Sequence, residues 1–210
     1  MREGSTVDLF DGRLLRVYGE SNRILSTIDD TNVVELVPAY SDCDILLSSV
    51  LRLQSNRLYM VYGVKRSLAD RRYFGQYLDE EGHLDGAVVP IMLDEGYRLV
   101  EKDRLIQLEQ GRLLLPCMLL DGSSGQLNPF ALVLIYYSDD EGESWDQAPQ
   151  ILMGPLLSML GLKSPSLIEQ IDGRILMLAS SDDEQLYQCY SIDKGITWSQ
   201  IIKKRSHNDR

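Results

Sequence analysis

Ser138-Asp139-Asp140-Glu141-Gly142-Glu143-Ser144-Trp145 and Ser191-Ile192-Asp193-Lys194-Gly195-Ile196-Thr197-Trp198 spell one eight-residue phrase, S-x-D-x-G-x-S/T-W. Each octet follows an apolar or aromatic run, Leu132 to Tyr137 and Leu186 to Tyr190. The residue types suit a tight hairpin turn. Asp and Ser oxygens satisfy turn amides, Gly takes the left-handed position, and Trp packs the turn back onto the sheet. Two copies of so specified a pattern mark a structural repeat.

Working outward, a second phrase recurs: a short turn, an arginine, then an apolar strand. It reads Asp11-Gly12-Arg13-Leu14-Leu15, Ser55-Asn56-Arg57-Leu58-Tyr59, Gln110-Gly111-Arg112-Leu113-Leu114 and Asp172-Gly173-Arg174-Ile175-Leu176. Three copies are preceded by another β-like run, Val50 to Leu53, Arg104 to Leu108 and Ser166 to Glu169, so strand, two-residue turn and strand read as a hairpin. The arginines at 13, 57, 112 and 174 stand 44, 55 and 62 residues apart, a spacing that suits four-stranded propeller blades with loop insertions. No convincing 3.6-residue amphipathic stretch appears, and Gly154, Pro155 and Gly161 make the segment from Met153 to Leu162 read as a loop. The fold class expected is therefore all-β, one domain over residues 1–210 with a polar tail at 203–210.

The 210 residues are 44% hydrophobic, enough for a substantial core, and carry 21 Lys+Arg against 32 Asp+Glu, a formal net charge of −11. That balance disfavours nucleic acid or an anionic membrane as the main partner. Cys43, Cys117 and Cys189 form no CxxC pair and read as small buried hydrophobes, and no cofactor or metal site is expected. Only two histidines exist, His83 and His207, without a second histidine at metal-ligand spacing, and there is no P-loop, Rossmann fingerprint or G-x-S-x-G elbow. The acidic runs Asp79-Glu80-Glu81 and Asp182-Asp183-Glu184 read as solvated loops. Met1 to Ser5 lack the apolar stretch of a secretory signal, which sets a cytoplasmic location as the expectation.

The two octets resemble the Asp-box, or bacterial neuraminidase repeat, of the sialidase superfamily. With the strand-turn-Arg phrases, the chain resembles a sialidase-like β-propeller from about Asp42 to Gln200, and Tyr77 to Asp85 resembles a third, degenerate box with Leu78 for the Ser and Asp85 for the Trp. The resemblance implies four-stranded antiparallel blades, structural rather than catalytic roles for Ser138, Asp140, Gly142, Trp145, Ser191, Asp193, Gly195 and Trp198, and a glycan partner. Lys102-Asp103-Arg104 resembles a family Asn-Asp-Arg, and Val64 to Arg72 resembles a stretch following a central strand. Asp103 is therefore the expected catalytic carboxylate, and Arg104, Arg66, Tyr97 and Tyr187 the expected substrate contacts.

The pattern departs from the family in the last blade. Lys163-Ser164-Pro165 and Ala179-Ser180-Ser181 stand where the family carries Gln-Glu-Pro and Arg-Thr, so Ser164 replaces a Glu and Ser180 a carboxylate-binding Arg; Leu119-Leu120-Asp121 replaces a family His. Sialidases use a Tyr nucleophile, an Asp acid/base and an arginine cluster, and a Ser cannot supply the planar fork with which Arg grips a carboxylate. Three readings stand at this point: a glycoside hydrolase of this superfamily, a non-catalytic glycan-binding or interaction propeller, and a partial chain that folds only with a partner. The spacing yields about four blades where the resemblance implies six, which makes self-association through open blade edges a further expectation.

Overall fold

The alternating runs form seventeen strands and, among the described residues, no helix. The computed structural model describes residues 4–92, 96–122, 124–154, 158–183 and 185–204. His207 and most of the 203–210 tail lie outside them, as do Pro155 and Glu184.

Strands follow one another as four meanders, each with its members paired in chain order. Blade one is β1 (Gly4–Asp8), β2 (Leu14–Glu20), β3 (Arg23–Ile28) and β4 (Thr31–Val37). Blade two is β5 (Asp44–Arg52), β6 (Leu58–Lys65), β7 (Asp70–Leu78) and β8 (Leu84–Met92). In blade three the first strand is interrupted, β9 (Gly96–Leu99) and β10 (Ile106–Gln107), and is followed by β11 (Leu113–Leu120), β12 (Leu132–Ser138) and β13 (Asp146–Gln147). Blade four is β14 (Lys163–Glu169), β15 (Ile175–Ser180), β16 (Leu186–Ser191) and β17 (Ile202–Lys203).

The expectation of separate four-stranded sheets needs one correction. Blades two and three share a nine-stranded sheet because β9 pairs with β11 on one side and, in parallel, with β7 on the other. The cause is local: β8 leaves the edge of β7 at Tyr73, so Asp70 and Arg71 are open to Gly96 and Tyr97. A second correction concerns the hairpins. Leu9, Leu53, Leu108 and Gln170 each donate an amide to the carbonyl four residues on, at Arg13, Arg57, Arg112 and Arg174, so the loop holds three residues rather than two. Gly12, Asn56, Gly111 and Gly173 end these loops with φ between 72° and 98°, the left-handed position of a type I turn with a G1 bulge.

Both octets join the third strand of a blade to its fourth, and their hydrogen bonds repeat atom for atom. Ser138 Oγ donates to Asp140 Oδ1 (2.7 Å) and accepts from the Gly142 amide (2.7 Å), while the Ser144 amide and hydroxyl reach the two oxygens of Asp140 at 2.9 and 2.5 Å. Ser191, Asp193, Gly195 and Thr197 make the same four bonds at 2.8, 2.8, 2.8 and 2.5 Å. The turn at Asp79 to His83 keeps only part of this: Asp79 Oδ1 takes the amides of Glu81 (3.0 Å) and His83 (2.8 Å).

The pleat alternates the faces of each second strand between its two neighbouring blades. Leu15 and Val17 of blade one meet Leu58, Met60 and Tyr62 of blade two. Tyr59 and Val61 turn the other way, onto Leu113, Leu115 and Cys117 of blade three. Leu114 packs with Ile175, Met177 and Ala179 of blade four. Each such side chain contributes about 1.5–3 kcal/mol on burial, so packed faces tie neighbouring blades, with the β7–β9 pairing added between blades two and three.

A repeated latch closes each seam. The hairpin arginine of one blade reaches the strand-three-to-four turn of the next: Arg13 to Glu81 (3.2 Å), Arg57 to Glu143 (3.2 Å) and Arg112 to the Lys194 carbonyl (3.2 Å). The turn glycine sits against the residue two places after that arginine. A Cβ on Gly82 would meet Leu15, one on Gly142 would meet Tyr59, and one on Gly195 would meet Leu114, all inside 3.0 Å.

Candidate functional site

The first strands of the four blades converge on one polar cluster, and backbone bulges place it. In β5 the pairing with β6 slips between Leu47 and Ser49, at Ser48. Blade three leaves residues 100–105 out of its first strand, with Asp103 at φ 55°. In β14 the register shifts between Lys163 and Ser166, and Ser164 has φ 52°. Such bulges re-aim side chains that a regular strand would send into the blade faces.

The hydrogen bonds tie all four blades together. Ser5 of blade one donates to Asp103 Oδ1 at 2.5 Å. Ser48 of blade two donates to the Glu101 carbonyl (3.3 Å) and its own carbonyl accepts from the Asp103 amide (2.9 Å). Ser164 of blade four donates to Glu101 Oε1 at 2.7 Å, and Arg104 lies 3.4 Å from Glu101 Oε2. Arg104 Nε is buried without a partner among the described residues. Ser5 and Ser48 are buried while Asp103 is exposed, so the cluster has a protein side and an open side.

Asp103 and Arg104 thus meet in one place; the other three expected contacts lie elsewhere. Arg66 is exposed on the β6–β7 loop, 3.9 Å from Asp70, and borders a cleft of about 290 Å³ with Tyr40 and Cys43. Tyr97 accepts a 3.1 Å hydrogen bond from Arg71, and Tyr187 donates at 2.7 Å to Asp183. Ser180 turns its hydroxyl to the Lys163 carbonyl (3.3 Å). Sequence reading passed over Glu101, Ser5 and Ser48. Hydroxyls inside the otherwise apolar run Leu46-Leu47-Ser48-Ser49-Val50 were the available signal for Ser48; nothing local marks Ser5 or Glu101.

Several phenols and thiols outside the cluster are shifted by burial. Burial pushes the phenols of Tyr73 and Tyr77 up to about 12, and that of Tyr59 higher still. Cys117 and Cys189 are pushed to about 12 by the same cause. No group of three or more His, Cys, Asp or Glu suited to a metal occurs among the described residues. A larger concavity, about 560 Å³, opens beside Gly96, Leu119, Asp121, Asn128 and Phe130, but its walls are mainly apolar. Convergent polar groups fix a ligand's orientation better than an apolar wall does, so the polar cluster joining the four blades is the better candidate.

Comparison with known proteins bears on the fold. No curated protein sequence matches the chain. Among solved structures it is similar to a protein of unknown function from Dyadobacter fermentans DSM 18053, at 12% identity and TM-score 0.69, covering 96% of this chain and 68% of that one. It is also similar to a Hadza microbial sialidase (12% identity, TM-score 0.67, 98% and 47% covered) and to a mutant of the NanB sialidase from Streptococcus pneumoniae (11%, 0.67, 97% and 51%). The chain spans about half the length of those two sialidases. At such identities the likeness establishes the architecture: an all-β, sialidase-like array of blades. A profile described as "BNR repeat-like domain" matches residues 98–208, more than half of the sequence and both octets, and the chain belongs to that family.

Proposed function

We propose that the protein is a sialidase-like glycan-binding module that holds a sugar over this polar cluster without cleaving sialosides. The observation that carries the reading is the convergence of Ser5, Ser48 and Ser164 from the first strands of blades one, two and four on Glu101, Asp103 and Arg104 of the break in blade three's first strand. Carboxylates accept from sugar hydroxyls, and the arginine and serines donate, each charge-assisted bond contributing about 1.5–3 kcal/mol when water is displaced. Against cleavage of sialosides stand Ser164 and Ser180. Both hydroxyls are engaged within the protein, and neither can act as a carboxylate base or an arginine fork.

The test pairs a glycan array and calorimetry with turnover of fluorogenic sialosides and neutral glycosides. Binding that Asp103→Asn weakens about tenfold, with no sialoside turnover, is the expected result; sialoside turnover, or binding that Asp103→Asn leaves untouched, overturns the reading. A second reading, hydrolysis of a neutral glycoside, draws support from the two carboxylates of Glu101 and Asp103 in the same cluster. Turnover of a neutral substrate lost in Glu101→Gln and in Asp103→Asn would favour it.

A further inference from the structure

Between blades one and two lies a cleft that shares no residue with the polar cluster. It has two lobes, of about 290 and 440 Å³, and Tyr40, Asp42, Cys43 and Arg66 line both. The smaller lobe is aromatic. Tyr62 and Phe74 stand opposite each other on β6 and β7 with ring centroids 5.8 Å apart, and Tyr40 is 52% exposed beside them. The larger lobe is polar and its charges balance, Lys65 and Arg66 against Asp42 and Asp44.

Tyr62 is the residue that points to a ligand. A buried tyrosine normally bonds its hydroxyl, and Tyr59, Tyr73, Tyr77, Tyr136 and Tyr187 all do. Tyr62 is 6% exposed, its phenol is raised by burial, and its hydroxyl has no hydrogen-bond partner among the described residues. Ile45, Val64 and Phe74 around it are apolar, so the partner has to come from whatever fills the cleft. On the wall common to both lobes, Arg66 meets only Asp70, at 3.9 Å, and the Asp42 carboxylate makes no ion pair or hydrogen bond among the described residues. A charged donor and a charged acceptor therefore stand available there. The wall itself is held in place. Asn22, at φ 62°, donates its side-chain amide to the Tyr40 and Cys43 carbonyls (3.3 and 2.7 Å) and accepts from the Ile45 amide.

A pyranose ring matches this arrangement, because its C–H face covers an aromatic ring while its hydroxyls both donate and accept. The balanced charge of the polar lobe argues against an anionic group. We propose that the cleft between blades one and two is a carbohydrate site for one neutral pyranose. The C–H face of the sugar lies on Tyr40, one of its oxygens accepts from the Tyr62 hydroxyl, and adjacent hydroxyls are shared between Arg66 and Asp42. The assignment is independent of the reading of the polar cluster, since the two sites have no residue in common.

The test follows the half-buried Cys43, which lines both lobes, with a thiol reagent. Methyl glycosides of neutral pentoses and hexoses, short neutral oligosaccharides and the matching uronic acids are the probes. At least one neutral probe is expected to slow the labelling of Cys43 in the native protein, equally in the wild type and in Asp103→Asn. Tyr62→Phe should weaken that protection about fivefold and Tyr40→Ala about tenfold, with urea midpoints unchanged. The Tyr62 hydroxyl makes no bond within the protein, so a lowered midpoint in Tyr62→Phe would assign it to the fold and overturn the proposal. No protection by any probe, protection lost in Asp103→Asn, protection untouched in Tyr62→Phe, or uronic acids outcompeting the neutral sugars each overturns it as well.

Discussion

Gly142→Ala is expected to be among the most damaging single-methyl changes in the molecule. Gly142 has φ 100°, and an alanine Cβ there would lie 2.5 Å from Cζ and 2.8 Å from the hydroxyl of Tyr59 in the neighbouring blade. Tyr59 cannot move aside. It is 0% exposed, and its hydroxyl already lies over Gly75, where a Cβ would come within 1.7 Å. Displacing the ring breaks two hydrogen bonds, Tyr59 to the Gly142 carbonyl and Trp145 Nε1 to Tyr59, both 3.1 Å. Those bonds contribute about 1 kcal/mol each, left-handed strain adds roughly 1–2 kcal/mol, and overpacking another 1–3 kcal/mol. The sum is roughly 4–7 kcal/mol. Gly111→Ala is the control: its φ is 98°, but the nearest atom to a new Cβ is Gln54 Oε1 at 4.0 Å, so only the strain of roughly 1–2 kcal/mol applies. Urea unfolding of both variants reads the difference directly. Equal losses of stability in the two would refute the close-packed seam.

Acid should loosen the octets before the cores. Burial raises the Asp140 and Asp193 carboxyls, but hydrogen bonds from Ser144 and Ser138, and from Thr197 and Ser191, more than offset this and hold both below the ordinary 3.8. Hydrogen bonding to Arg112 likewise lowers Asp139. Folded values below the unfolded one mean that this stability is fully present above about pH 4 and is lost as pH falls through the folded values. Thermal midpoints should therefore be flat above about pH 5, fall below about pH 4, and fall less steeply in Asp193→Asn. Arg112→Lys should cost about 1 kcal/mol in chemical denaturation, because Lys cannot reproduce the paired 2.7 Å bonds to Asp139 or the stacking on Tyr137. In the native protein a thiol reagent should label Cys43 slowly and leave Cys117 and Cys189 untouched until urea is added, since the latter two are fully buried. Prompt native labelling of Cys117 would contradict its burial.

The architecture was legible because its signals are local. A turn that needs a left-handed residue, an acid to take turn amides and an aromatic to pack has few solutions, so the octets announced themselves. Hairpin arginines recurred for a similar reason, each serving a seam that recurs. What local pattern did not reveal is what those residues touch. Arg57 and Glu143 are far apart in sequence, as are Ser5 and Asp103, and only the stacking of blades brings them within hydrogen-bond distance. The loop length of the hairpins was also misread, since a bulge adds a residue without changing the apolar alternation on either side.

The sequence by itself determined that the chain is all-β, that its strands come in repeated meanders, and which turns carry them, because propensity and turn chemistry act over a few residues. Tertiary structure decided the site. Bulges at Ser48, Asp103 and Ser164 turn serines and acids of four first strands toward one place. It decided too what the hairpin arginines hold: similar short phrases around 13, 57, 112 and 174 end in different surroundings, three arginines reaching the next blade's turn and Arg174, among the described residues, reaching Asp172 and the Tyr190 ring. Interactions across a seam depend on three-dimensional stacking, and no spacing along the chain encodes it.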